Sequence, residues 1–419
     1  MEEHDAIDAL KRQLQEADTS TPQRRPWIPE EREEIIRLAR ECLGLRDEWI
    51  PHIEPRITGA TSNGKITIKK LSAVSWARCF CAAHIYVPQG VTSDPLPLVL
   101  LCCGHGKGGK QAEGYRRMAW RLACQGCAVL VPDNIGQGER SDMGHRDAVA
   151  PFRCGLSLQG MIVMETIGWL RWALTNESFD ERRIAAIGNS GGGVLTLFLG
   201  AFCRDDLAAL SSSGYPSTFH FIASKEKKHC HCNILPGIVG NLQMWQVYGC
   251  FAPKPLFIFQ GQNDHLFPED LFDEVSRKAE HAYGKADSSP AFKSAVFPGG
   301  HSWDDARRDA LAAFLAGCLD LDSAQEPAAG FPEEAPENCY SVWPEEALTT
   351  DELAAQIAGM ATVEKDELWK VYLADWENFR DTQFRRVAFR QLAAQLQAFL
   401  RPENRASNKP DARDANRRA

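Results

Sequence analysis

An apolar run from Ile184 to Ile187 enters Gly188-Asn189-Ser190-Gly191-Gly192 and passes at once into the apolar stretch Val194 to Leu199. A serine on so tight a strand-to-helix turn needs small neighbours, exposes its hydroxyl and faces the N-terminus of the following helix. That pattern is a nucleophile elbow, and the chemistry it suits is acyl transfer through Ser190. The hydroxyl needs a base, and the base needs a carboxylate to fix its tautomer and stabilise the imidazolium. Asp264 follows the strand-like run Leu256 to Gln260, and His301 follows Phe297-Pro298-Gly299-Gly300; they lie 74 and then 37 residues further along the chain. Both follow strand ends, where parallel sheets build their sites, in the chain order serine, acid, histidine that accompanies a nucleophile elbow. Asp273 and Asp304 are rival acids, but each falls within a helical pattern. Backbone donors for a developing oxyanion are expected from Gly191 and from His105 in the glycine-rich turn Cys103 to Gly109.

These loops need a frame, and the chain between about 64 and 320 supplies one. Strands are expected at Lys65–Lys69, Ala77–Val87, Leu96–Cys103, Ala128–Pro132, Arg183–Ile187, Ala208–Ser212, Leu256–Gln260 and Ala295–Phe297. Helices fall between them at Gln111–Cys124, Ser157–Leu174, Gly191–Phe202, Pro268–Tyr283 and Asp304–Leu319. The alternation predicts an α/β fold with a mainly parallel sheet and helices on both faces, the first two strands making an antiparallel edge. The expected division is an N-terminal helical extension (1–60), a catalytic domain (61–321), a Pro/Glu/Ala-rich linker (322–345), a C-terminal helical segment (346–400) and a disordered tail (401–419). Thr349 or Thr350 would cap the C-terminal helix, and Trp369, Tyr372, Leu373, Trp376, Phe379 and Phe384 would form its apolar face. An insert at about 214–250, between nucleophile and acid, is expected to cover the site. Tyr215, Phe219, His220, Trp245 and Tyr248 are its candidate wall residues, with Trp303 beside the histidine.

The chain of 419 residues carries 47 basic and 56 acidic side chains, a net charge of -9, which disfavours nucleic-acid and anionic-membrane partners. Its fourteen cysteines lie largely inside apolar runs, and the stretch Met1 to Gln13 has no apolar leader, so free thiols and a cytoplasmic setting are expected. His229-Cys230-His231-Cys232 invites a metal reading, but four consecutive residues cannot close one tetrahedral site and no second ligand pair stands near in sequence. The glycine-rich turn lacks Gly-Lys-Ser/Thr. No metal and no cofactor are therefore expected. The partner expected is a small-molecule ester, and the terminal helical extensions could join copies of the chain into a homo-oligomer.

Several segments resemble the α/β-hydrolases of the dienelactone-hydrolase and acetyl-xylan-esterase-like kind, including a bacterial branch with a cysteine-containing insert. They are Gly104-His105-Gly106, Pro132 to Arg140, Gly188 to Gly192, His229 to Asn233 with Pro236-Gly237, Ala252 to Pro255, and Phe297 to His301. The resemblance spans about 100–305 and implies hydrolysis of carboxylic esters through an acyl-enzyme on Ser190. Two departures stand out. Relatives commonly carry His-Gly where this chain has Cys103-Gly104, and many dienelactone hydrolases use cysteine where it has Ser190. Since fold and triad do not fix the leaving group, an amide, peptide or carbon-carbon bond hydrolase is the alternative. A binding protein with a vestigial triad is a third reading.

Overall fold

The computed structural model describes residues 29–359, apart from 92–94, 107, 147, 149, 225–229, 236–237, 240 and 323–329. Nine strands form one sheet: β1 (Arg56–Ser62), β2 (Ile66–Trp76), β3 (Cys79–Pro88), β4 (Leu96–Cys102), β5 (Ala128–Pro132), β6 (Phe179–Asn189), β7 (Ala209–Ser213), β8 (Leu256–Gly261) and β9 (Phe292–Phe297). Their order across the sheet is β1-β2-β3-β5-β4-β6-β7-β8-β9. The first three strands run antiparallel, as does the β3–β5 pairing, and all neighbours from β5 to β9 are parallel.

The apolar runs are continuous because the central strands are covered on both faces. Along β4, Leu98, Leu100 and Cys102 enter one core, whereas Val99, Leu101 and then Cys103 enter the other. The first core is built with α1 (Arg32–Leu43), α3 (Leu158–Leu174), α4 (Gly191–Phe202) and α5 (Glu269–Lys285). The second is built with α2 (Glu113–Cys124) and α6 (Asp305–Leu319). Helix α3 begins where the Ser157 hydroxyl accepts the Gly160 N–H at 2.9 Å, and its apolar residues on every side are buried because neighbouring elements surround it.

The ends of the chain depart from the sequence expectation. Strand β1 begins inside the stretch 1–60 read as a helical extension and runs two residues past it; seven residues with an exposed pattern carry little period-two signal. The stretch read as a linker is, over its described part 330–345, a strap fastened to the body. Arg116 donates to the carbonyls of Pro332 and Glu334, the Tyr340 hydroxyl donates to Ala73 O at 2.9 Å, and His84 Nε2 lies 3.1 Å from Glu337 O. Polar composition concealed this docking because backbone carbonyls and amides of the strap make most of the contacts. Helix α7 (Thr350–Ile357) follows, with Thr349 and Glu352 forming a capping box. The aromatic residues from Trp369 to Phe384 and the tail lie outside the described residues.

Two buried charge clusters tie the loops above the sheet together. Lys110 Nζ contacts Asp133 Oδ2 and Glu139 Oε1, each at 2.5 Å, and all three side chains are almost completely buried. Burial alone would lower the Lys110 pKa, but Asp133, Cys339 and Glu139 more than offset it, so the ammonium stays charged. Glu139 also accepts the N–H groups of Cys339 at 3.0 Å and Tyr340 at 3.2 Å, which joins the strap to this cluster. Arg140 grips Glu165 of α3 through two nitrogens at 2.5 and 3.0 Å. Breaking a buried pair leaves an uncompensated charge, which costs about 3–5 kcal/mol. Lys110→Met is therefore expected to lower unfolding stability by about that amount in urea titration.

Candidate active site

Ser190 sits between β6 and α4 with φ 59° and ψ -123°, one of four non-glycine residues of positive φ among those described. Such a conformation costs about 1–3 kcal/mol and persists only where its surroundings over-determine it. Here they do. Ser190 N–H donates to Ser213 O at 2.9 Å, and Gly193 N–H donates to Ser190 O at 2.8 Å. The turn is so tight that a Cβ on Gly188 would lie 2.1 Å from Gly192 O, and one on Gly192 would lie 2.0 Å from Cys102 O. The small residues flanking the serine are thus a steric requirement.

Asp264 and His301 meet above the neighbouring strand ends. His301 Nδ1 lies 2.7 Å from Asp264 Oδ2, and Asp264 Oδ1 accepts the N–H groups of Leu266 at 2.8 Å and Phe267 at 3.3 Å. Burial would raise the Asp264 pKa, but the His301 hydrogen bond and charge, with the two backbone donors, hold it below the usual aspartate value. The Phe267 ring stacks on His301 with centroids 5.7 Å apart, and a Cβ on Gly214 would fall 3.0 Å from His301 Cε1. These contacts fix the imidazole plane. Asp304 instead caps α6 by accepting Arg307 N–H, and Asp273 is exposed on α5.

Ser190 and His301 open into one cavity of about 550 Å³ that His105, Gly191, Tyr215 and Trp303 also line. The loop after β4 reaches the elbow at closest backbone distance: a Cβ on Gly104 would lie 2.5 Å from Asn189 O and 2.9 Å from Ser190 Cβ. Gly104 N–H donates to the Tyr115 hydroxyl at 2.6 Å, and the His105 ring covers Gly191. Gly191 begins α4, so its amide stands at the positive end of the helix.

Solved structures resemble this chain closely enough over most of its length to fix the fold. Methylesterase BT1017 superposes with a TM-score of 0.63 at 20% identity, over 83% of this chain and 76% of that one. This chain has the α/β-hydrolase fold. BF1801 of Bacteroides fragilis NCTC 9343, described as "a putative acetyl xylan esterase", gives a TM-score of 0.57 at 15% identity over 69% and 81% of the two chains. By sequence, the chain is 20% identical to "Putative hydrolase YtaP" of Bacillus subtilis (strain 168) over 236 residues, 52% of this chain and 78% of that one. No family model matches.

Within this hydrolase fold the expected wall residues divide. Tyr215 and Trp303 line the cavity, where the Tyr215 hydroxyl donates to Asn233 Oδ1 at 3.1 Å and Trp303 Nε1–H donates to Ser213 Oγ at 2.7 Å. Phe219, His220 and Trp245 do not line it. Phe219 stacks on Phe198 of α4 with centroids 6.5 Å apart, Trp245 is buried in the same core, and His220 is half-buried on the short helix Phe219–Ser224. Tyr248 is also internal, bonded to the Ser212 hydroxyl at 2.7 Å. These parts of the insert pack down on α4 because burying their apolar area outweighs exposing it at a cavity mouth. Reasoning from sequence missed Tyr115, His145, Arg146, Asn233 and Phe267, which do line the cavity. Phe267, three residues after the acid, was within reach of the motif; His145 and Arg146 were not, since only the folded loop after β5 brings them near.

Because the folded Asp264 pKa is depressed, the carboxylate contributes stability above its unfolded value of about 3.9 and loses it as pH falls through the lower folded value. The stability difference between the native chain and Asp264→Asn should therefore narrow as pH falls below about 4. Thermal unfolding on both sides of that pH measures it.

Proposed function

We propose that the chain is a serine hydrolase of carboxylic esters that works through Ser190, His301 and Asp264. The observation that carries this reading is the 2.7 Å His301–Asp264 pair opening, beside a serine held at φ 59°, into one cavity. The structural neighbours, a methylesterase and a chain described as "a putative acetyl xylan esterase", favour an ester over an amide.

In this reading Ser190 Oγ attacks the ester carbonyl carbon while His301 Nε2 takes its proton. Asp264 stabilises the imidazolium without accepting the proton itself. The carbonyl oxygen, now an oxyanion, is met by the N–H groups of Gly191 and His105, donors that need no reorganisation as the charge develops. His301 returns the proton to the leaving alkoxide, the alcohol departs, and an acyl-enzyme remains on Ser190. Water then attacks the acyl carbon with His301 again as base, releasing the carboxylic acid. No step in this scheme needs a redox cofactor.

Tyr215 and Trp303 would form the apolar sides of the substrate site. A cavity of about 550 Å³ falls within the range that holds small ligands, and suits a short acyl group such as acetate on an alcohol of sugar size. Fourteen cysteines without a disulfide favour a reducing, cytoplasmic setting. Among the described residues no helix is long and apolar enough to cross a membrane.

The direct test is turnover of p-nitrophenyl acetate by the full chain and by Ser190→Ala. The substitution is expected to lower kcat on the order of 10⁶-fold, and near-native turnover by the variant would overturn the reading. A fluorophosphonate probe should label the native chain on Ser190 alone.

A further inference from the structure

Four consecutive ligands cannot close one tetrahedral site, but the described residues Cys230 to Cys232 are used differently, and His229 lies outside the described residues. His231 is turned away, its Nδ1 2.9 Å from Ala148 O and its N–H donating to Arg146 O at 3.0 Å. Cys230 and Cys232 instead point towards two histidines from distant loops, His105 after β4 and His145 after β5. The ligand atoms of all four lie within 4.8 Å of one another.

We propose that His105, His145, Cys230 and Cys232 form a closed, structural zinc(II) site in the wall of the cavity. A tetrahedral centre with bonds of ~2.0–2.1 Å to nitrogen and ~2.3 Å to sulfur places its ligand atoms ~3.3–3.8 Å apart. His105 Nε2 stands 3.2 Å from His145 Nε2 and 3.0 Å from Cys232 Sγ, so small outward movements of side chains suffice. The outer contacts are those a metal centre needs. His145 Nδ1–H donates to Ile135 O at 2.6 Å, which leaves its Nε2 lone pair facing the cluster. Cys232 N–H donates to Cys230 Sγ at 3.4 Å, and Asn233 Nδ2 lies 3.8 Å from Cys232 Sγ, positions from which amides stabilise thiolates.

Donor chemistry selects the ion. Two imidazoles and two thiolates, with no carboxylate, suit zinc rather than magnesium or calcium. Binding releases the two thiol protons, and the two thiolate charges then neutralise the divalent cation. A neutral centre suits a cluster in which His145, Cys230 and Cys232 are buried. Four protein ligands leave no open position, so this zinc would act as a staple and not as a Lewis acid. It would join the insert to the loop that carries the His105 amide, and His105 would serve as a positioning residue through its ring as well as an oxyanion donor through its backbone.

The test is metal content, which does not depend on hydrolysis. Full-length protein prepared with zinc and freed of loose metal by a weak chelator is expected to hold one zinc ion per chain by mass spectrometry of the metal. X-ray absorption should show two nitrogen and two sulfur neighbours. Ser190→Ala should keep the zinc in full, so failure of the proposed reaction would leave this result standing. Cys232→Ser and His145→Ala should weaken binding by more than the ~10–100-fold that loss of an outer contact produces. Should those variants fail to fold, cobalt exchanged into the native chain supplies the readout, with the visible bands of a tetrahedral thiolate site expected. A native chain that binds neither ion with its thiols reduced, or a Cys230–Cys232 disulfide in the freshly purified protein, would overturn the proposal.

Discussion

Ser190 is held where its backbone would not go alone, and much of the upper half of the molecule can be understood as the means of holding it there. The positive φ survives because β6, β7 and the first turn of α4 surround the serine with hydrogen bonds, and because Gly188 and Gly192 let backbones meet without side chains between them. Strain of about 1–3 kcal/mol is small beside two packed cores, yet it concentrates at the single serine of the turn. A flexible serine could reach the same position only part of the time. In the proposed hydrolase the rigid one would remove that entropy cost from each encounter with substrate.

The loop after β4 depends on the elbow and also on anchors at each end. At its start Gly104 presses on Ser190 and gives its N–H to Tyr115; at its end Lys110 is locked by Asp133 and Glu139. Between these points His105 leans on Gly191 and towards Cys232. Gly104 and Gly109 are glycines because a Cβ there would lie 2.5 Å from Asn189 O and 2.1 Å from Asp133 Oδ1. Its geometry is imposed by partners on α2, on the loop after β5 and on the insert.

Much of this was legible in the sequence because it rests on local signals. Continuous apolar runs gave β4, β5 and β8, and the glycine spacing placed Ser190 on its turn, with Asp264 and His301 after their strands. Contacts that depend on distant partners were not legible. Nothing in the composition of 330–345 reports that Glu139 will bind its amides, and nothing in Cys230 to Cys232 reports that the two thiols face His105 and His145 while His231 turns away. The insert aromatics misled for a related reason. Phe219 and Trp245 look alike in a core or a cavity wall, and only the position of α4 decides between them.

The strap adds a condition of timing. Glu139 takes its amide partners from Cys339 and Tyr340, about two hundred residues later in the chain, and Arg116 takes its carbonyls from beyond Phe331. At ~5–20 residues per second a ribosome needs roughly 10–40 s to make that interval. Throughout it, the nascent sheet can assemble while these buried groups await acceptors and donors that do not yet exist. The interior is therefore completed only once the strap has been made, and a message cut short before it would leave Glu139 and Arg116 without these partners.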